Sequence, residues 1–159
     1  MAAGKRLKRN GPHACHFVSC AAPRGGFSRL GAARRRLTVD SQIPLCNSAD
    51  LANGGEAVPF DVVYGGQTCR AFAIRFDGQV HAYLNRCAHV AMEMDWQMNR
   101  FFDDSGRWLL CSTHGAVYRP DTGACAGGPC RGGLIRINLT ERDGVVHWHT
   151  ACNLQPLEF

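Results

Sequence analysis

The sequence predicts an all-β fold, an antiparallel β-sandwich or small barrel. Short runs of alternating apolar and polar residues recur from about residue 43 onward, with turns rich in Gly and Asp between them. No long stretch has the 3.6-residue period of a helix, and no G-x-G-x-x-G motif is present. Regularly spaced turns between short strands are typical of sandwiches and barrels.

The first predicted elements are a helical turn and a hairpin. Residues 48–51 are expected to form one helical turn, capped by the Ser48 hydroxyl. Predicted strands at 58–64 and 67–76 flank a Gly-Gly pair, which is a two-residue hairpin signal. In the second of these strands, large apolar residues alternate with Ala and Arg, so one face should enter a core.

Further short strands follow along the chain. They are predicted at residues 79–85, 107–111, 116–118, 134–139 and 145–150. The segments between them carry Asp-Gly and Asp-x-Gly sequences, which favour tight turns.

Composition and charge divide the chain into two parts. Residues 1–39 carry nine Lys or Arg and no acid, whereas residues 40–159 carry nine Arg and thirteen acids. We therefore expect a basic, disordered extension at 1–39 and one domain at 40–159. The domain is mildly acidic, so nucleic acid is not an expected partner. No run approaches the ~18 apolar residues of a membrane span.

The cysteine content predicts a location. Nine cysteines is an odd number and too few for a disulfide scaffold, and no cleavable apolar signal is evident. A reducing compartment is therefore expected, with cytoplasmic localisation and with Cys/His chemistry favoured over disulfides. The Arg-rich extension is also compatible with a transit peptide or an early start codon.

Two Cys/His pairs are the candidate site for chemistry. Cys87 and His89 follow one predicted strand, Cys111 and His114 follow another, and Gly115 comes directly after the second pair. Both pairs should therefore lie on loops at a sheet end. Thiolates and imidazoles in such a set indicate zinc or iron–sulfur ligation.

The Cys-x-His spacing favours two irons over one zinc. Ligand pairs of structural zinc sites are usually separated by two to four residues, so this pair is cramped for a single tetrahedral ion. In a two-iron site with bridging sulfides, the Cys and the His can bind different irons. A structural Cys2His2 zinc module remains the alternative.

The combined pattern resembles the Rieske proteins. The match comprises C-x-H and C-x2-H, then His-Gly-Ala-Val-Tyr, Asp-Thr-Gly and Gly-Gly-Pro, and it covers most of residues 43–150. The resemblance implies a sandwich with an inserted cluster-binding subdomain, its loops at about 86–130, and one [2Fe–2S] cluster. It also implies that Cys87 and Cys111 bind the inner iron, and His89 and His114 the outer one.

The same resemblance implies which residues lie beside the cluster and what range its reduction potential has. Gly115, Tyr118 and Pro129 are expected beside it. The quinol-oxidising branch has a disulfide and a Ser hydroxyl there, where this chain has Met92, Thr113 and Ala116. Losing a hydrogen bond should lower the potential, so we expect the lower half of the roughly −150 to +300 mV Rieske window.

The function that the resemblance implies is that of a soluble, ferredoxin-like one-electron carrier without catalytic residues. Its partners would be a reductase and a terminal oxygenase or other oxidoreductase, which a monomeric carrier meets in transient complexes. The alternative is a small subunit or accessory domain of a Rieske-type oxygenase. An oxygenase also needs an iron site made of two His and one carboxylate. The segment after Cys130 has His147 and His149 on one predicted strand, which cannot form such a pocket.

The remaining candidates have structural interpretations. The insert at residues 90–110 is expected to be a local cap packed under the cluster loops, or a docking surface that includes Trp96. Small buried or half-buried thiols are expected at Cys46, Cys69, Cys125, Cys130 and Cys152. Surface-strand histidines are expected at His81, His147 and His149.

Overall fold

The all-β prediction is confirmed by the computed structural model, which describes residues 41–158. A short 3-10 turn, Ser48–Asp50, interrupts the strands. The strands are β1 (Gln42–Asn47), β2 (Val58–Tyr64), β3 (Gln67–Phe76), β4 (Gln79–Leu84), β5 (Leu109–Cys111), β6 (Ala116–Tyr118), β7 (Cys125–Gly127), β8 (Arg136–Ile137), β9 (Leu139–Arg142), β10 (Val145–His149) and β11 (Leu154–Pro156). Within residues 41–158, no helix is long and apolar enough to cross a membrane.

The strands form three antiparallel sheets. The central sheet has five strands in the order β11-β2-β3-β4-β8, and a three-stranded sheet has the order β1-β10-β9. The third sheet, β5-β6-β7, carries the second candidate ligand pair. Every strand pair in these sheets is antiparallel, as the turn pattern predicts.

The central sheet separates two hydrophobic cores. Phe72 and Ile74 of β3, with Tyr83 of β4, enter the core shared with the β5-β6-β7 sheet. The small residues that alternate with them enter the other core, which includes Val146 and Trp148 of β10. The large and small residues of β3 therefore match two different spaces, and both faces of that strand are buried.

The β5-β6-β7 sheet is an insertion between neighbouring strands. β4 pairs directly with β8, through Ala82 with Ile137 and Tyr83 with Arg136. Residues 85–135 therefore leave the central sheet and return to its next strand. The candidate ligand pairs lie within this inserted subdomain, in agreement with the fold that the resemblance implies.

Positive φ angles account for the predicted tight turns. Gly65 and Gly66 have φ of +58° and +81° between β2 and β3, and Asp77 and Gly78 have +48° and +77° between β3 and β4. Two consecutive positive φ values suit the twist of a hairpin, and Gly or Asp adopts them at low cost.

Three strands were not predicted, one predicted strand is divided, and one cap differs. The strand predicted at 134–139 is divided into β8, which pairs with β4, and β9, which begins at Leu139 and pairs with β10. β1 contains Pro44 and shifts its register before Cys46, β7 is Cys-Ala-Gly, and β11 ends in Pro, so none has a clear alternating signal. The 3-10 turn is preceded by Asn47, whose backbone N–H donates to the Asp50 carboxylate at 2.9 Å. The predicted Ser48 cap is therefore one residue out. The predicted extension at 1–39, with its boundary at residue 40, lies outside the described residues.

Candidate metal centre

Cys87 and Cys111 form the buried part of the candidate site. Cys87 begins the loop after β4, and Cys111 is the last residue of β5. Their side chains are 4% and 0% exposed, and the two thiols are hydrogen-bonded to each other. The two chain segments therefore bring their sulfur atoms together inside the core of the inserted subdomain.

The two histidines form the exposed part. His89 and His114 are both exposed, although each is only two or three residues from a buried cysteine. Their rings lie edge to face, with centroids 5.0 Å apart. The site therefore has a sulfur pair inside and an imidazole pair at the surface.

Tyr118 joins the first ligand loop to β6. Its buried hydroxyl lies 3.1 Å from the Cys87 sulfur and accepts a hydrogen bond from the Ala88 N–H at 3.0 Å. With its acceptor side occupied by Ala88, the hydroxyl proton is free to point at the Cys87 sulfur. Burial, followed by the Cys87 contact, raises the pKa of Tyr118, so the hydroxyl keeps its proton.

The two thiols differ in acidity. Burial alone would raise the pKa of Cys87, but hydrogen bonds from the Tyr118 hydroxyl and from the His89 and Val90 N–H groups outweigh it and lower that pKa. Burial is the largest influence on Cys111 too, and there it raises the pKa. The environment of Cys87 thus favours the thiolate, which is the form that binds metals.

The second ligand loop is a tight turn stabilised by its own backbone. Gly115 donates its N–H to the Cys111 carbonyl at 2.9 Å and has a φ of +68°. No atom lies within 4 Å of a Cβ added to Gly115, so the backbone angle rather than crowding favours glycine here.

Asn85 and Asp95 position the first loop, and sequence reasoning missed both. The Asn85 side chain donates to the Asp95 carboxylate at 2.6 Å and accepts from the Met94 N–H at 2.8 Å. The Met94 carbonyl accepts from both the N–H and the hydroxyl of Ser112, beside the second ligand pair. An Asn at a strand end followed by a nearby Asp was the only available signal.

A third loop, residues 127–129, lies against the second ligand loop and lines a surface depression with the first. Gly128 has a φ of +75°, and a Cβ there would lie 2.3 Å from the Gly115 carbonyl oxygen. Pro129 lines a surface depression of about 610 Å³ with His89. The structure therefore brings Gly115, Tyr118 and Pro129 around the four candidate ligands.

The predictions for three cysteines are wrong. Cys125 and Cys130, expected as free thiols, form a disulfide with Cα atoms 5.9 Å apart. Cys152, expected to be at least half-buried, is exposed, whereas Cys46 and Cys69 are half-buried as predicted. Sequence spacing alone does not reveal which cysteines the fold brings together.

The histidines away from the site are only partly as predicted. His147 and His149 share the half-buried face of β10, opposite the buried Trp148. His81 is buried rather than at the surface, because it lies in the middle of the central sheet between β3 and β8. Burial, and then the nearby Arg136, lowers the pKa of His81, which favours the neutral ring.

The insert at residues 90–110 serves as a cap and leaves apolar side chains exposed. Phe101 stacks on Phe72, with centroids 3.7 Å apart, and Met94 is fully buried. Trp96, in contrast, is 89% exposed, and Met98 is 69% exposed. The cap interpretation therefore holds for one side of the insert, and the other side is exposed.

The donor set fits a two-iron cluster better than a single ion. Thiolates are soft ligands and imidazoles are borderline ones, a mixture found at iron–sulfur and zinc sites. Among residues 41–158, no three His, Cys, Asp or Glu side chains converge on one metal position. The four candidates are arranged as a buried sulfur pair and an exposed nitrogen pair.

Comparisons with solved structures find proteins of similar fold. The chain is similar to a ferredoxin from Sphingomonas yanoikuyae B1, with 26% identity, a TM-score of 0.51 and coverage of 67% of this chain and 95% of that one. It shares the fold of the ferredoxin of carbazole 1,9a-dioxygenase from Nocardioides aromaticivorans IC177, with 19% identity, a TM-score of 0.55 and coverage of 70% and 98%.

A larger protein is also similar over part of its length. The terminal oxygenase of carbazole 1,9a-dioxygenase from Novosphingobium sp. KA1 has 25% identity and a TM-score of 0.55, over 74% of this chain and 31% of that one. The chain thus spans about a third of that oxygenase. No curated protein sequence matches the chain.

A family model settles the classification. The model described as "Rieske [2Fe-2S] domain" matches residues 41–140, which is more than half of the chain. The match includes both Cys/His pairs, the third loop and most of the central sheet. The chain therefore belongs to the Rieske [2Fe–2S] domain family, whose domain binds one [2Fe–2S] cluster.

Proposed function

We propose that this protein is a one-electron carrier in which Cys87 and Cys111 bind the inner iron and His89 and His114 bind the outer iron. The observation that carries the proposal is the division of the site into a buried sulfur pair and an exposed imidazole pair. A Rieske cluster takes up and releases one electron at a time.

The protein groups around the ligands have separate tasks. Tyr118 donates its hydroxyl proton toward the Cys87 sulfur, a hydrogen bond that is stronger when the sulfur is more negative. The rings of His89 and His114 are at the surface, so the outer iron that they would bind lies on the side of the site that a redox partner can reach. Gly115 and Pro129 shape the turn and the surface beside these rings.

We infer that the partners are redox proteins, a reductase that donates the electron and a terminal oxygenase or other oxidoreductase that accepts it. One structure with the same fold is of a complex of reduced oxygenase and oxidized ferredoxin in carbazole 1,9a-dioxygenase, at 21% identity and a TM-score of 0.54. Exposed apolar side chains near the ligands support docking, since Val90 follows His89 directly and Leu110 precedes Cys111.

A carrier is favoured over an oxygenase subunit. The structural match covers 95% and 98% of two ferredoxin chains but only 31% of an oxygenase chain. Described residues that follow the third loop are used in the sandwich itself, with His147 and His149 on β10. None of the site residues is therefore assigned a catalytic role.

A cytoplasmic, monomeric state with transient complexes is part of the proposal. Apart from the two proposed ligands, Cys46, Cys69 and Cys152 are free thiols, and Cys152 is exposed. Exposed free thiols are usual for proteins of reducing compartments.

Anaerobic purification of the full chain tests the proposal. We expect about two irons and two acid-labile sulfides per chain, a red-brown colour and a rhombic electron paramagnetic resonance signal after reduction by dithionite. The reduced protein should return to its oxidised spectrum when a one-electron acceptor such as cytochrome c is added. A colourless chain with stoichiometric zinc and no sulfide would contradict the proposal.

A further inference from the structure

The Cys125–Cys130 disulfide is a chemical feature that the proposed function does not use. It joins the first residue of β7 to the residue that follows Pro129, so it closes a loop of six residues. Residues 127–129 make up half of that loop. The disulfide therefore holds the segment that lies against the second ligand loop and beside the depression at His89.

The loop contacts the segment after His114 and shares a surface depression with His89. An added Cβ at Gly128 would lie 2.3 Å from the Gly115 oxygen and 3.0 Å from the Ala116 Cα, so the two backbones are in close contact just after His114. Pro129 and Cys130 line the surface depression beside His89. A change in the conformation of this loop would therefore alter the surroundings of both exposed candidate ligands, His89 and His114.

The disulfide joins the far end of this loop to the sheet. The pairing of β7 with β6 ends at Gly127 and is already irregular in register between Val117 and Tyr118. Cys130 is 8% exposed and packs in the same core as Cys87 and Cys111. Its bond to Cys125 holds the chain end of the loop in that core.

A reductant can reach one of the two sulfur atoms more easily than the other. Cys125 is half-buried and lies between the exposed residues Ala124 and Ala126, whereas Cys130 is buried. Attack by a thiolate is therefore expected at the Cys125 sulfur, with Cys130 as the leaving group.

We propose that Cys125–Cys130 is a reversible thiol–disulfide site for a dithiol reductant, and that its opening frees residues 127–129 from Gly115, widens the depression beside His89 and exposes the cluster. One thiolate of the dithiol attacks the Cys125 sulfur, the sulfur–sulfur bond breaks, and Cys130 leaves with the electron pair and takes up a proton. The second thiolate attacks the mixed disulfide at the reductant's own sulfur and releases Cys125, which is protonated. The protein gains two electrons and two protons, and the dithiol leaves as a disulfide.

The surrounding chemistry supports a reversible bond rather than a permanent one. None of the five other cysteines among residues 41–158 is in a disulfide, so the described part of this protein is not built as a disulfide scaffold. A six-residue loop is short, so its closure removes little chain entropy from the unfolded state. In reducing compartments, disulfides that form are usually transient or sensing.

The effect on the cluster rests on the proposed function, in particular on His89 and His114 as ligands of the outer iron. Thiol chemistry and cluster chemistry can nevertheless be measured separately. Alkylation followed by mass spectrometry reports the disulfide, and iron and sulfide contents report the cluster. Failure of the disulfide proposal can therefore be distinguished from failure of the proposed function.

The experiment uses the full-length protein purified anaerobically with its cluster. It is incubated with or without dithiothreitol and alkylated with iodoacetamide, and Cys125 and Cys130 are then examined by peptide mass spectrometry. In parallel, the loss of visible absorbance is followed after addition of a ferrous chelator. The double variant Cys125→Ser/Cys130→Ser represents the open loop without any reductant, and Cys69→Ser is the matched control at a half-buried free thiol.

We expect both cysteines to resist alkylation until dithiothreitol is added and to be alkylated afterwards. Chelation of iron should become about tenfold faster in the reduced protein, a change typical of the loss of a group that supports metal ligands. The double variant should show the faster rate without reductant and no further response to it. Cys69→Ser should behave as the wild type.

Several results would overturn the proposal. Alkylation of Cys130 in the untreated protein would show that the bond is absent, and protection that persists in excess dithiothreitol would show that it is not reducible. Equal chelation rates with the disulfide intact, with the disulfide reduced and in the double variant would show that the disulfide has a structural role only and does not protect the cluster. A chain without iron and sulfide would contradict the proposed function and the cluster effect, while alkylation would still report the bond.

Discussion

Removal of the Tyr118 hydroxyl should lower the reduction potential. The hydroxyl lies 3.1 Å from the Cys87 sulfur and is buried, so no solvent hydroxyl can replace it at low cost. Hydrogen bonds to charged groups contribute about 1.5–3 kcal/mol, and this one is stronger to the more negative, reduced state. A difference of about 1.4 kcal/mol between the two states corresponds to about 60 mV for a one-electron couple.

The assay is a redox titration of Tyr118→Phe monitored by visible circular dichroism or electron paramagnetic resonance. Tyr83→Phe is the matched control, because Tyr83 is also buried and its hydroxyl donates to the Pro120 carbonyl at 2.8 Å, away from the ligands. Its loss should cost about 1 kcal/mol of unfolding free energy without moving the potential. Tyr118→Phe also leaves the Ala88 N–H without its acceptor, so some loss of stability is expected there too.

Two outcomes would refute this reasoning. A Tyr118→Phe protein with an intact cluster and an unchanged potential would show that the hydroxyl does not stabilise the reduced state. An equal fall in Tyr83→Phe would show that the shift reports general loosening of the core rather than the contact with Cys87.

Three other predictions concern the ligands, the insert and acid stability. His114→Ala should abolish or grossly alter the cluster spectrum while His147→Ala leaves it unchanged, as visible and paramagnetic resonance spectra will show. Trp96→Ala should slow electron transfer to a partner protein in stopped-flow measurements without changing the cluster spectrum, because this side chain is 89% exposed. The hydrogen bond from Arg75 lowers the pKa of Glu141 below its ordinary value of 4.5. The pair therefore stabilises the folded state above pH 4.5, and this stabilisation is lost as the pH falls through the lowered pKa of the folded protein. The urea midpoints at pH 6 and pH 3.5 should therefore differ less in Glu141→Gln than in the wild type, and an equal difference would contradict the role of this pair. A normal cluster spectrum in His114→Ala would contradict its role as a ligand. An unchanged transfer rate in Trp96→Ala would contradict the docking role of the insert.

Local signals account for the part of the fold that the sequence predicts. The β2–β3 and β3–β4 hairpins are set by neighbouring residues, since Gly65 and Gly66 supply the positive φ values and alternation along β3 sets its faces. The pairing of β4 with β8, across an insertion of about fifty residues, has no local signal. The family resemblance implied an inserted subdomain but not this strand pairing.

The candidate site shows the same division. The spacing of Cys87, His89, Cys111 and His114 identifies the candidate ligands, because chain neighbours share a loop whatever the tertiary structure. The contacts of Asn85 with Asp95 span ten residues, and their side chains meet only once the insert is folded. The sequence pattern therefore did not predict these contacts.

The disulfide shows a further limit of sequence patterns. Composition predicted free thiols, and most of the described cysteines are free. Whether two cysteines bond depends on Cα positions, here 5.9 Å apart at the ends of a Gly-Gly-Pro loop. A compositional argument about the whole chain therefore could not decide this local pair.

The central claim is that imidazoles of His89 and His114 and thiolates of Cys87 and Cys111 share one two-iron cluster. Pulsed electron paramagnetic resonance on the dithionite-reduced protein, grown with ¹⁵N-labelled histidine, tests it most directly. The account predicts two strongly coupled histidine nitrogens, retained in His147→Ala. A paramagnetic cluster without histidine coupling would contradict it.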